Sequence, residues 1–175
     1  MSATEPSSHL PRLHRALGDL LRAQRVAALG TLDAQDPTQP FVSMVPYALL
    51  PDGAGFVIHV SGLAPHTANL QAAPRAALMV MASEPETGPV HALPRVSIDV
   101  RAETPVPHSP AWERARDAYL ARFPEAEPMT ALADFRFVTL SPTRARQVAG
   151  FGAARTVEAD ELAAVLAYAA AAPAP

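Results

Sequence analysis

The chain has 175 residues, 49% of them hydrophobic, 18% charged and 6% aromatic, with a formal net charge of −3 at neutral pH. That length suits one domain with short appendages, and that apolar share suffices for a core built on Ala, Val and Leu rather than on large rings. The acidic balance lacks the basic footprint of a nucleic-acid binder. The chain contains no Cys, which excludes disulfides, thiolate metal sites and a Cys nucleophile, and no Lys, so an anion must be met by Arg, His, hydroxyls or backbone N–H groups.

The first stretch, His9 to Arg25, places Leu10, Leu13, Leu17, Leu20 and Leu21 on one face at helical spacing. Arg12, Arg15, Asp19 and Arg22 fall mostly on the other side, and His14 is expected in solvent. The start MSATEPSSHLPRLHRALG has no apolar run behind a basic opening, and no later run is long enough to cross a bilayer. A cytoplasmic protein with no membrane partner is therefore expected.

Short apolar stretches then take over. Val26 to Leu32 and Phe41 to Leu50 read as strands separated by the turn-rich DAQDPTQP, and PDGAG at 51–55 signals a hairpin into a third strand, Phe56 to Ser61. Pro65 to Ala73 is a short helix stopped by Pro74, Ala76 to Ala82 a fourth strand, and SEPETGPVHALP a loop. Arg95 to Glu103 alternates polar and apolar residues, as a strand with one wet face does. Ser109 and Pro110 make a helix start, cap then first helical position, for a helix running to about Arg122. Phe135 to Leu140 and Arg144 to Ala149 read as the last two strands, and Asp160 or Glu161 opens a final Ala/Leu helix. Five to six short strands with tight connections argue for antiparallel pairing in a small barrel, which protects its own edges.

Two local features could carry chemistry. Ser61, His66, Thr67 and Asn69 gather around a helix start, where unpaired N–H groups favour an anion, although an ordinary helix cap explains the same residues equally well. Pro46 inside an apolar strand marks either an edge strand or a bulge, and a bulge would free backbone groups of Val45 and Tyr47 for a planar ligand. The six histidines match no common zinc spacing, so no metal site is expected.

The segments LGTLD, FVSMVPYAL, SGLAPHTANL, PRAALMV, PRVSIDVRAE and ADFRFVTLSPTRARQVAGFG resemble the pyridoxamine 5'-phosphate oxidase-like FMN-binding split-barrel superfamily. Within it they look closest to the haem-utilisation, or haem-degrading, branch. The resemblance runs from about Val26 to Arg155. It implies a mainly β (α+β) fold: a six-stranded antiparallel split β-barrel, Greek-key-like, with peripheral helices. The expected organisation is an N-terminal helix over 1–25, a barrel domain over 26–155 and an Ala-rich helix and tail over 156–175.

The resemblance further implies a homodimer with FMN between subunits, acting as an oxidoreductase on an unidentified small-molecule substrate. Ser43, Val45, Pro46 and Tyr47 would line the flavin ring, while Ser61, His66, Thr67 and Arg95 would hold its phosphate and Asn69 would brace that loop. Gly150, Phe151 and Gly152 would approach from the partner chain. No catalytic side chain is implied. Haem is the alternative cofactor, for a haem-binding or haem-degrading protein, and a non-catalytic flavin-binding dimer is a third reading. Haem-degrading relatives draw an axial His from their C-terminal region, whereas the last histidine here is His108.

Overall fold

The computed structural model describes residues 12–171. His9 and Leu10 of the expected first helix, and the last four residues of the tail, lie outside it. The elements in chain order are α1 (Arg12–Ala23), β1 (Val26–Leu32), β2 (Pro40–Pro46), β3 (Ala48–Leu49), β4 (Phe56–Ser61), α2 (Pro65–Ala72), β5 (Arg75–Met81), β6 (Arg95–Glu103), α3 (Pro110–Arg122), β7 (Phe135–Val148), β8 (Ala154–Val157) and α4 (Ala159–Ala171). Short 3-10 turns precede β6 and follow α3.

All strand pairs are antiparallel, in the order β2-β1-β5-β6-β7-β4-β3, with β8 added beside β7. The two ends of that order are joined through a single residue, Tyr47, since β2 stops at Pro46 and β3 begins at Ala48. The sheet therefore curls back on itself: residues 40–46 pair with β1, and residues 48–49 pair with β4. Tyr47 pins the closure. Its ring is fully buried edge-on to Phe56, its N–H donates to the Arg25 carbonyl, and its hydroxyl donates to the Leu21 carbonyl at 2.7 Å. Burial pushes the phenol well above its usual pKa, so it stays a neutral donor.

The expected split barrel with peripheral helices is present, built from eight strand segments rather than six. Phe41 to Leu50 divides in two at Tyr47, where the chain leaves β1 and pairs next with β4. Phe135 to Val148 is one strand across Pro142, because a β-bulge there lets β7 stay paired with β6 on both sides. Strand β8 returns from the Gly150–Gly152 turn and was not expected. At the β3–β4 turn Gly53 has φ 70°, and a Cβ there would lie 2.7 Å from the Ala167 nitrogen of α4. The turn needs glycine twice over, for its backbone and for the helix packed on it.

Inward residues alternate along the strands as a barrel demands: Leu29 on β1, Leu78 and Val80 on β5, Val96 and Ile98 on β6, Val138 and Leu140 on β7. Leu17 and Leu21 of α1 and Leu162, Val165 and Leu166 of α4 complete the same core. Strand β4 is apolar on both sides, FVIHV, because α3 covers its outer face. There Val57 and Phe137 pack against Ala115, Tyr119 and Phe123 in a second cluster. Helix α3 starts as expected, the Ser109 hydroxyl accepting from the Trp112 N–H at 3.2 Å.

Between α1 and α4, His14 is not in solvent. It pairs with Glu161, which also holds Arg155, whose Nε donates to Gln147 on β7. Among the described residues no helix is long and apolar enough to cross a membrane.

Candidate functional site

The residues expected to hold a phosphate do meet around the start of α2, but their polar atoms face one another. Ser61, the last residue of β4, donates its hydroxyl to the Asp134 carboxylate at 2.7 Å and accepts from the Leu63 N–H. Thr67 is buried and donates its hydroxyl to the Ser61 carbonyl at 2.6 Å. Asn69 is buried too: its amide oxygen accepts from the Ala34 N–H and its amide nitrogen donates to the Thr31 hydroxyl. It ties the β1–β2 connection to α2, rather than the 61–67 loop.

His66, in the first turn of α2, meets Ser43 of β2 across 3.0 Å through Nδ1, while its Nε2 is buried without a partner. Burial holds the imidazole below its usual pKa. Ala64 occupies the cap position of α2, without a side-chain hydrogen bond, so this helix start is not an ordinary polar cap. An anion at this point would face the Asp134 carboxylate, with the Ser61 and Thr67 donors already spent. The sequence reading missed Asp134, whose place beside Ser61 is set by chain elements 73 residues apart. It also missed Arg136, half-buried with an unpartnered Nε and its guanidinium against Gly62.

The structure does not support the bulge reading of Pro46. Strands β1 and β2 stay in continuous register from Leu32–Pro40 to Val26–Pro46, and β2 is an edge strand in that order. Proline is tolerated there because no further strand needs its N–H. The side chains of Val45 and Tyr47 point into the core, at 2% and 0% exposure, so neither can lay its side chain on a ligand at the surface.

Arg95 sits at the start of β6, where Nη1 donates to the Leu93 and His91 carbonyls, and it is paired between Met81 and Val148. It does not join the Ser61–Thr67 cluster through any hydrogen bond among the described residues. Phe151 occupies the tip of the β7–β8 turn between Gly150 and Gly152 and is 90% exposed.

The outer face of the barrel carries what the sequence reading did not assemble. Cross-strand partners share a face, so the register writes it out in rows. One row runs Met44, Ala28, Met79, Ser97, Arg146 across β2, β1, β5, β6 and β7. On the next outward positions Pro46 pairs with Val26, and Met81 pairs with Arg95 and through it with Val148. The β2-β1-β5 half is apolar and uncovered, with Val42 at 69% and Met44 at 64% exposure, and the β6–β7 half carries Arg95, Arg144 and Arg146.

A groove of about 380 Å³ lies on the apolar half, lined by Val26, Ala28, Val42, Met44, Met79 and Met81 among others. That is the lower end of the ~300–1,000 Å³ typical of ligand sites. The sequence signal was available: FVSMVP and RAALMVM are apolar at both parities, which a strand with one solvated face is not. No group of three His, Asp or Glu able to hold a metal ion comes together among the described residues.

Comparison with known proteins places this arrangement. The chain is 28% identical over 152 residues to the heme oxygenase HutZ of Vibrio cholerae, covering 86% of this chain and 84% of that protein. It superimposes on a heme binding protein from Mycobacterium smegmatis with a TM-score of 0.78 and 30% identity over 89% of its length, and spans 61% of that longer chain. A structure of HutZ described as the heme storage protein from Vibrio cholerae matches at TM-score 0.67 and 26% identity, covering 75% of this chain and 91% of that one. The family described as pyridoxamine 5'-phosphate oxidase matches residues 13–149. With its barrel, its register and that match running together over most of the sequence, the chain belongs to the pyridoxamine 5'-phosphate oxidase family.

Proposed function

We propose that this protein is a homodimer that binds haem between its subunits, against the outer face of β2, β1 and β5. The observation that carries the reading is the two-toned face: Met44, Ala28 and Met79 give way, along one register row, to Ser97 and Arg146. A flat apolar macrocycle with acidic side arms suits such a surface, ring on the methionine side and carboxylates toward the arginines. The groove is shallow enough that a second surface must complete it, and a second copy of this chain is that surface. Phe151, fully offered to solvent on its turn, is the aromatic each subunit would present to the other.

Met44, Met79 and Val42 would hold the ring, and Arg146 and Arg95 the acidic arms. Bound haem would supply iron redox and oxygen chemistry. The reading is one of binding: His59 is enclosed by aromatic rings, and His66 meets Ser43 through Nδ1 with its Nε2 buried.

Haemin titration followed in the Soret band tests this. The native protein is expected to shift the band with saturation at one haem per subunit, and Met79→Glu, which puts a carboxylate under the ring, to weaken binding at least tenfold. No shift in the native protein, or equal binding by the variant, would sink the reading.

FMN is the second reading, favoured by the family to which the chain belongs. Its fit is poorer at the phosphate end, where Asp134 occupies Ser61 and the Thr67 hydroxyl points inward. A melting-temperature rise with FMN that exceeds the rise with haemin would reverse the order of the two, and a flavin that binds but is not reduced by a nicotinamide would make the dimer non-catalytic.

A further inference from the structure

We infer that a phosphate group binds between Arg75 and Arg101, at the end of the outer face away from the methionine row. The two arginines are direct cross-strand partners on β5 and β6, and both are exposed. Like charges set directly opposite destabilise a sheet. Neither has an ion-pair or hydrogen-bond partner among the described residues, unlike Arg144 alongside, whose Nε and Nη2 both reach the Asp99 carboxylate at 3.1 and 2.9 Å. Arg144 meets Asp99 through Oδ2 alone and balances its charge, which leaves the double positive charge of Arg75 and Arg101 unmatched.

The surroundings are shaped rather than flat. Arg75, Ala76, Asp99, Val100, Arg101 and Thr143 line one groove. Its floor contains the β-bulge: Asp99 pairs with Arg144 and Val100 with Pro142, which leaves Thr143 as the residue without a partner across the ladder. The Thr143 hydroxyl donates to the Asp99 carbonyl at 3.2 Å and fixes that kink. Bulges re-aim side chains next to sites, and this one lies beside the arginine pair. In the same row, Ser141 is the partner of Arg101 on β7 and adds a hydroxyl.

The chemistry selects phosphate. Strands ~4.8 Å apart set two guanidinium forks close enough to share one anion. A carboxylate offers one charge and would leave the pair half neutralised. A phosphate monoester or inorganic phosphate offers three or more acceptor oxygens and close to two charges, matching two bidentate arginines. In a chain of net charge −3 this is a local reversal of sign. The inference does not depend on haem, since the site and its test need none.

The test is a calorimetric and thermal-melt titration of the full chain with inorganic phosphate, at constant ionic strength made up with chloride. Saturable binding is expected in the native protein. Arg75→Gln and Arg101→Gln should each weaken it about tenfold or more, the worth of a charge-assisted hydrogen-bond pair. Arg12→Gln, the same charge removed from α1, whose Leu13 carbonyl is held by Gln147 at the far end of β7, should change it less than about twofold.

Equal losses in all three variants would reduce the effect to net charge and overturn the inference. So would phosphate that does not bind at all, or arginine variants that break a dimer while phosphate has no effect, which would make the pair a subunit contact. Parallel titration with glycerol 3-phosphate separates the sources: tighter binding than phosphate identifies a monoester, and equal or weaker binding identifies the free ion.

Discussion

Two apolar faces of one barrel have opposite fates. Outside β4, Val57, His59 and Phe137 are roofed by α3, whose Ala115, Tyr119 and Phe123 close over them. Outside β2, β1 and β5, Val42, Met44, Met79 and Met81 have no helix over them among the described residues and are exposed. The sheet is continuous and the residues are alike in hydrophobicity; what differs is whether the chain supplies its own cover. A face the chain leaves bare, with arginines along one margin, is the face from which ligand and partner are to be expected. Substitutions on the roofed face should therefore cost stability, and those on the bare face should cost association.

The largest effect is expected from Phe137→Ala, which removes a side chain 1% exposed from the centre of the α3 cluster. It should lower unfolding stability by about 3–5 kcal/mol, read as a shift in denaturant midpoint. A shift below about 1 kcal/mol would mean that α3 is a loose cover and that the contrast between the faces is false.

Tyr47→Phe sits at the seam where the two ends of the sheet meet. It leaves the Leu21 carbonyl without its buried donor and is expected to cost about 1–3 kcal/mol in the same measurement.

A pH effect on the roofed side comes next. His59 stacks on Phe137 with ring centres 4.4 Å apart, its Nδ1 buried without a partner, and burial holds its pKa below the usual imidazole value. The unfolded chain therefore takes up the proton first. Stability is full above about pH 6.5, the unfolded imidazole value, and falls as pH drops below it toward the lower folded pKa. His66 shifts in the same direction and adds to the slope. Thermal melts of His59→Phe between pH 7 and pH 5 should show a flatter dependence than the native protein, and an unchanged slope would remove His59 from this account.

The smallest stability change belongs to the bare face. Met44→Ala should move the midpoint by no more than about 0.5 kcal/mol, because its side chain gives up little buried area. On the proposed dimer, sedimentation of the same variant should show weaker association than the native protein. A full-strength dimer would move the subunit contact elsewhere.

Much of the fold was legible in the sequence because its signals are local. The Leu stripe of α1, the PDGAG turn, the Ser109–Pro110 helix start and the alternation of β6 each depend on residues a few positions apart, and each element stands where its pattern put it. Strand boundaries failed at Tyr47, where the chain passes from pairing with β1 to pairing with β4, and at Pro142, absorbed by a bulge that only the partner strand makes possible, and the short strand β8 went unread.

The candidate site was less legible. Ser61, His66, Thr67 and Asn69 gather around the start of α2 and His66 reaches Ser43, but the direction of each hydrogen bond was not readable. Whether a hydroxyl serves a ligand or the protein depends on what lies opposite it, and Asp134 arrives from far along the chain. By itself, then, the sequence determined the family, the antiparallel barrel, its helices and the absence of thiol or Lys chemistry, all properties of residue type and short-range pattern. Tertiary structure alone decided that Tyr47 closes the barrel, that one apolar face is roofed and the other bare, and that Arg75 stands opposite Arg101. Those follow from strand register, which brings together residues whose separation along the chain carries no local signal.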